Sequence, residues 1–161
     1  MPRILVSACL LGQPVRYDGR AKPMHDRLLA TWQAQGWLVP LCPEVAAGLP
    51  TPRAPAEIAP GTTARDVLAG RGRVLGATGD DVTRAFVAGA RFALQVAQDR
   101  GCGAALLTDG SPSCGSTRVY DGHHAGQRVP GAGVTAQVLR DHGIAVFAPH
   151  QIADLAEWLT R

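Results

Sequence analysis

The chain has 161 residues, 46% of them hydrophobic and 18% charged, which suits one folded domain with a sizeable core and excludes a disordered chain. Fifteen arginines and a single lysine, Lys22, stand against thirteen acids for a net charge of +3, with no block of like charge to form a nucleic-acid arm or a membrane patch. No apolar run nears the ~20 residues of a spanning helix, and MPRILVSACLLG holds too short an apolar stretch before Pro14 for a signal peptide, so a cytoplasmic protein is expected.

Residues 3–8, RILVSA, read as a β-branched strand, followed by a turn-rich stretch over 12–19. Residues 24–35 predict a helix with Leu28, Leu29 and Trp32 on one face and Gly36 as its stop. Residues 37–42, WLVPLC, predict a second strand, weakened by Pro40; this β-α-β spacing favours parallel pairing. The middle, 43–78, is where much of the surplus of glycine (19) and proline (12) lies. Its GLPTPRAPAEIAPG is too rich in breakers for a regular element, and RDVLAGRGRVLGA reads as a hairpin about Gly70-Arg71-Gly72. A helix over 80–100 runs from Asp80-Asp81 to Gly101, with Val82, Ala85, Phe86, Phe92, Ala93, Val96 and Ala97 in one stripe. Gly89 interrupts that stripe at about 1 kcal/mol relative to alanine, which predicts a close packing contact there. A strand at 104–108, a long loop to about 130, a helix near 133–142, a strand at 144–148 and a helix at 151–160 complete the chain. The expected fold is α/β: a Rossmann-like open, mostly parallel sheet flanked by helices in three layers, with the Pro/Gly-rich segment and hairpin inserted. Residues 1–161 are expected to form a single domain and a monomer.

In a reducing compartment disulfides rarely persist, so Cys9, Cys42, Cys102 and Cys114 suggest ligands, catalytic thiols or core thiols. Open α/β sheets bind ligands beyond the carboxyl ends of their strands. Cys9 follows the first strand, Cys42 closes the second, and Cys114 lies in the loop leaving the 104–108 strand; parallel pairing brings all three to one edge. Cys102 precedes its strand and belongs roughly 15 Å away at the opposite edge, as an ordinary core thiol. Three thiols leave several readings open. Structural zinc would need a fourth donor, and no CxxC pair is present. A [4Fe-4S] cluster on three thiolates would leave one iron open for Lewis-acid chemistry. Cys9 and Cys42 as small buried hydrophobes, or a lone nucleophile, remain as alternatives.

The blocks SACLLG with VRYDG (residues 7–12 and 15–19), Cys42-Pro43-Glu44-Val45 with Gly48-Leu49-Pro50 and Pro52-Arg53, and Ser111-Pro112-Ser113-Cys114-Gly115 resemble the signature blocks of the thiouracil desulfidase family in its short, single-domain form. GDDVTRAFVAGA and Gly131-Ala132-Gly133-Val134-Thr135-Ala136 extend the resemblance over nearly the whole chain. It implies a [4Fe-4S] cluster on Cys9, Cys42 and Cys114, with one open iron taking the sulfur of a thiolated pyrimidine. It also implies a non-redox hydrolysis of that small-molecule substrate to uracil and hydrogen sulfide, with Glu44 and Ser111 as the acid/base pair. Thr108-Asp109-Gly110 departs from the basic or polar triplet expected before SPSCG, which bears on substrate identity.

The residue types suit that chemistry. A partly desolvated Glu44 would deprotonate water or protonate a ring nitrogen; otherwise it is an acid stabilised at a helix N-terminus. Ser111 would hydrogen-bond the substrate or relay a proton; otherwise it is a turn residue before Pro112. Asp18 and Asp121, each in a Tyr-Asp-Gly run, read as turn residues or pocket residues. Arg53 reads as a substrate anchor or a surface arginine, and His123-His124 as an exposed pair. The GxGxxA run at 131–136 lacks a preceding strand, so it reads as a helix start and anion site rather than a dinucleotide fingerprint. Two further classes stand beside the enzyme: a zinc- or cluster-binding protein that stores or senses metal or sulfur, and a nucleotide-binding module.

Overall fold

The computed structural model describes residues 1–161. The chain opens with β1 (Ile4–Ser7), buried throughout, and passes through a tight 3-10 turn at Ala8–Leu11. Helix α1 (Arg27–Ala34) begins where the Asp26 carboxylate accepts the Leu28 and Leu29 N–H groups, and Gly36, at φ 73°, turns the chain out of it into β2 (Leu38–Leu41). One turn of helix, α2 (Pro43–Ala46), follows β2 directly. Next come β3 (Ala56–Ile58), α3 (Ala64–Leu68), β4 (Val74–Gly76) and the long α4 (Thr83–Asp99). Then follow β5 (Ala104–Leu106), β6 (Arg118–Tyr120), β7 (Arg128–Pro130), α5 (Val134–Asp141), β8 (Ala145–Phe147) and α6 (Ile152–Trp158).

The central sheet has the order β2-β1-β5-β8 with every pair parallel. Because strand side chains alternate between faces, Leu5, Val39, Ala105 and Leu107 point to one side and Ile4, Val6, Ala104 and Leu106 to the other. The first set packs on Ala93 and Ala97 of α4 and on Ala136 and Leu139 of α5. The second packs on Leu29 and Trp32 of α1 and on Ile152 and Leu155 of α6. This is the three-layer α/β sheet expected from the sequence. Pro40 is tolerated because β2 is an edge strand, where a missing N–H breaks no interior ladder. No helix is long and apolar enough to cross a membrane.

Four local expectations are corrected. The proposed hairpin about Gly70-Arg71-Gly72 does not form, because its first arm is α3, started by a capping box in which Thr63 and Asp66 satisfy each other's backbone N–H. The antiparallel partner of β4 is instead β3, from the Pro-rich stretch read as irregular. The loop before residue 130 contains the β6–β7 hairpin. In α4 the buried line is Phe86, Gly89, Ala90, Ala93 and Ala97, whereas Phe92 is 48% exposed and falls outside it. The close contact predicted at Gly89 is present: a Cβ there would lie 2.4 Å from the Pro43 carbonyl oxygen. At this point helix α2 is seated directly on the α4 backbone through the Pro43 carbonyl and ring.

Candidate functional site

The register pairing Ser7 with Leu41 sets the carboxyl ends of β1 and β2 side by side, so Cys9 and Cys42 leave the sheet as neighbours. Cys114 returns to the same edge on the loop after β5. All three thiols, together with Glu44, Arg53 and Ser111, line one cavity of about 320 Å³, at the small end of the range for ligand pockets. Cys102 lies before β5 at the other end of the sheet, packed in the apolar cluster beneath α4 and α5.

The thiols are held in unfavourable company. Cys9 is 5% exposed and Cys114 4%, and burial pushes all three thiols above the ordinary range. Cys42 adds to the shift at Cys9, and Cys42, Cys9 and Glu44 add to it at Cys114, because any negative charge here meets others close by. Such a set favours a ligand that brings positive charge. The spacing also has a size: no trio of His, Cys, Asp and Glu is close enough to share one ion. Zinc at about 2.3 Å from each sulfur would need its donors within about 4 Å of one another. The three thiols line one cavity without forming a single-ion site, and an all-thiolate donor set is the chemistry of an iron–sulfur cluster.

Each thiol is positioned by local structure. The Cys9 carbonyl accepts the N–H groups of Gly12 and Lys22 at 3.2 and 3.0 Å, which folds the 12–22 loop over it. Cys42 is the N-cap of α2, and its Sγ lies 3.9 Å from the Val15 carbonyl oxygen. Cys114 sits in a turn closed by Ser111, whose Oγ accepts the N–H groups of Ser113 and Cys114 at 3.0 and 3.1 Å. The two readings of Ser111 are therefore compatible. Its oxygen caps the turn, and its own proton stays free to be donated.

Helix α5 presses on that turn from outside. The N–H groups of Gly133, Val134 and Thr135 donate to the carbonyls of Gly115, Pro112 and Ser113 at 2.7, 2.8 and 2.9 Å. A Cβ at Gly133 would lie 2.5 Å from the Ser113 carbonyl, which explains that glycine of the GxGxxA run. The run does start a helix. The anion-site reading, and with it nucleotide binding there, is overturned because these amides are already spent on the Cys114 loop.

Glu44 stands on α2 with its side chain 16% exposed, and its Oε1 accepts the Nε–H of Arg53 at 3.2 Å. Burial raises its carboxyl above the ordinary range, opposed by the Arg53 charge and hydrogen bond. Arg53, 7% exposed, is neither a surface arginine nor a free anchor. Its guanidinium also donates to the Val15 carbonyl at 2.9 Å, the Pro50 carbonyl at 3.1 Å and Thr51 Oγ1 at 3.1 Å, joining three segments of the cavity wall.

Asp18 and Asp121 are turn residues, accepting the N–H groups of Arg20 and His123 at 3.0 Å each, while the preceding Tyr17 and Tyr120 line the cavity. His123 and His124 are both exposed, as expected, and His124 Nδ1 lies 3.5 Å from Glu57. Two cavity acids escaped sequence reasoning. Glu57 accepts the N–H groups of Gly122 and His124 at 2.9 and 3.2 Å, and nothing in Ala56-Glu57-Ile58 advertises it. Asp109 had one signal, its departure from the triplet expected before SPSCG.

The sequence profile of a family described as 2-thiouracil desulfurase matches residues 4–151. The chain belongs to the 2-thiouracil desulfurase family. A member from Bacillus subtilis (strain 168), the uncharacterized protein YbbK, is 39% identical over 154 residues, spanning 94% of this chain and 99% of that protein. A solved structure described as the [4Fe-4S]-dependent thiouracil desulfidase TudS is 45% identical, with a TM-score of 0.90 and 99% coverage of both chains. The parallel sheet and its flanking helices are thus the architecture of a 2-thiouracil desulfurase, and the cavity lies at the carboxyl end of that sheet.

Proposed function

We propose that this chain is a [4Fe-4S]-dependent thiouracil desulfidase, with Cys9, Cys42 and Cys114 holding the cluster and Glu44 and Ser111 moving the protons. The observation that carries the reading is the convergence of three thiols, Cys9 and Cys114 buried and Cys42 half-buried, on one small cavity that also holds a carboxylate and a free hydroxyl proton. The TudS neighbour, by its description, supports both the cofactor and the reaction class. When bound, a cluster on three thiolates supplies an open, soft iron that polarises a thiocarbonyl.

The protein groups supply the rest. Glu44, held by Arg53 through Oε1, takes the proton of an attacking water on its other oxygen. Ser111 hydrogen-bonds the heterocycle through its hydroxyl, orients it and relays a proton without net loss, since both protons that leave with the sulfur come from the attacking water. The balance is non-redox: the C=S carbon gains the oxygen of water, the sulfur leaves with two protons as hydrogen sulfide, and uracil remains.

Anaerobic reconstitution with iron and sulfide is expected to give a brown protein that releases sulfide from 2-thiouracil. A colourless product, or colour that survives Cys9→Ala, Cys42→Ala and Cys114→Ala combined, overturns the assignment. Bound zinc without inorganic sulfide would favour a metal-storage protein instead, a reading the donor spacing disfavours.

A further inference from the structure

Asp109 lines the cavity but makes no bond to any group assigned above. Its Oδ1 accepts the N–H groups of Gly110, Ser116, Thr117 and Arg118 at 3.0, 3.0, 3.2 and 3.2 Å, and its Oδ2 takes the Thr117 hydroxyl. These donors come from both ends of the loop that carries Ser111 and Cys114. One carboxylate therefore closes the loop at its base, joining the residue that enters it to the three that leave it. The other fastenings of this loop are backbone bonds from α5, the Arg140 guanidinium of α5 donating to the Ser116 carbonyl at 3.0 Å, the Gly110 N–H to the Arg118 carbonyl at 3.1 Å, and the Ser111 cap. Hydrogen bonds with one charged partner are roughly twice as strong as neutral ones, and Asp109 gathers five of them where Arg140 supplies one, so Asp109 is the dominant fastening. The closure must be tight, because Gly115 packs so closely that a Cβ would lie 2.6 Å from the Arg118 carbonyl and 2.7 Å from that of Ser111.

We propose that Asp109 is the positioning residue of the desulfidase site, fixing Ser111 and Cys114 against the other two cysteine loops by closing the 110–117 loop on its carboxylate. It is not itself an acid or base, since both oxygens are occupied by donors within the loop. The kinetic part of the proposal rests on the desulfidase reading; the structural part does not.

The test compares Asp109→Ala and Asp109→Asn, the latter retaining a carbonyl oxygen to accept the same N–H groups. In the reduced, metal-free full-length chain, iodoacetamide labelling is followed at each cysteine by mass spectrometry, with Cys102 reporting global loosening from the far end of the sheet. Asp109→Ala is expected to label at Cys114 about tenfold faster with Cys102 unchanged, and Asp109→Asn to stay near the wild type. In the reconstituted protein Asp109→Ala is expected to lose about tenfold or more in kcat with little change in KM for 2-thiouracil, as displaced reacting groups do, and Asp109→Asn to recover most of it. Unchanged Cys114 labelling, Cys102 rising in step, or an unchanged kcat overturns the proposal. A wild type that labels as expected but releases no sulfide refutes the desulfidase reading and leaves the role of Asp109 in the loop standing.

Discussion

Replacing Gly89 by alanine sets two effects of known size against each other. On helix propensity alone the change stabilises α4 by about 1 kcal/mol. The added Cβ, however, would lie 2.4 Å from the Pro43 carbonyl oxygen and 3.0 Å from its carbon, where ordinary contact begins near 3.4 Å. The obstacle is backbone, with no flexible side chain to turn aside, so α2 and α4 must separate by about 1 Å. Overpacking of this kind costs about 1–3 kcal/mol. The Pro43 carbonyl also accepts the Ala47 N–H at 3.0 Å, which resists its rotation and places the cost at the upper end. The net is about 1–2 kcal/mol of destabilisation, or a melting temperature lower by about 2–8 °C for a chain of this length. Activity suffers more, because α2 carries Glu44 in its first turn and Cys42 at its cap. A displacement of about 1 Å at a reacting group is worth about 10²-fold in rate. Thermal melts and sulfide release from 2-thiouracil measure the two halves. A variant that melts 2–4 °C higher, the pure propensity gain of about 1 kcal/mol, and keeps full activity would refute the reasoning.

Other perturbations follow from the same geometry. Arg53→Gln leaves Glu44 without its cation and three carbonyl or hydroxyl partners without a donor; breaking a buried pair costs about 3 kcal/mol or more, so a fall of about 6 °C or more in melting temperature is expected, and an unchanged melt would show that the pair contributes nothing. Ser111→Ala removes the acceptor for two backbone N–H groups, a loss of about 1–2 kcal/mol comparable to losing a helix cap, and it should lower kcat as well; a variant with the wild-type kcat removes Ser111 from the chemistry. Asp66 and Asp81 are held below the usual carboxylate range by hydrogen bonds from Thr63 and Thr83, and Asp109 by bonds from Thr117, Arg118 and Gly110 that outweigh its burial. With folded values depressed, the unfolded chain binds more protons below about pH 4, so this stabilisation is complete above that pH and is lost as the pH falls through the folded values. The urea midpoint of the wild type should therefore drop more between pH 5 and pH 3 than that of Asp109→Asn, and equal drops would contradict the assignment.

The central sheet was legible because its strands are short apolar runs whose neighbours are glycine-stopped helices, and that signal is local. The cysteine placement followed from it by topology alone, since parallel strands must present their carboxyl ends together. What the sequence hid depended on partners far away in the chain. Ala56-Glu57-Ile58 becomes a strand only because 74–76 lies beside it, and a proline-rich context masks that pairing. Gly131-Ala132-Gly133 mimics a phosphate-binding turn, but its open backbone admits the Ser113 carbonyl, and no local pattern separates those two uses of glycine. Arg53 between two prolines reads as exposed, yet its partners are Val15, Glu44 and Pro50, which lie 38, 9 and 3 residues away in sequence.

The hydrogen bonds also discriminate among the acids around the cavity. Glu57 spends Oε1 on two backbone N–H groups and turns Oε2 toward His124. Asp109 spends both oxygens on its own loop. Glu44 accepts one bond from Arg53 at Oε1, and its Oε2 has no hydrogen-bond partner in the protein. A carboxylate whose oxygens are all committed can neither take a proton from water nor return one without breaking the structure it holds. Glu44 alone among the three has a free oxygen, at a site where burial raises its affinity for a proton. Ser111 is its counterpart among the donors, because its oxygen is held by the turn while its proton is not. Glu44 and Ser111, the pair we propose for the chemistry, thus keep a free oxygen and a free proton, while Glu57 and Asp109 are the acids that hold the cavity walls in place.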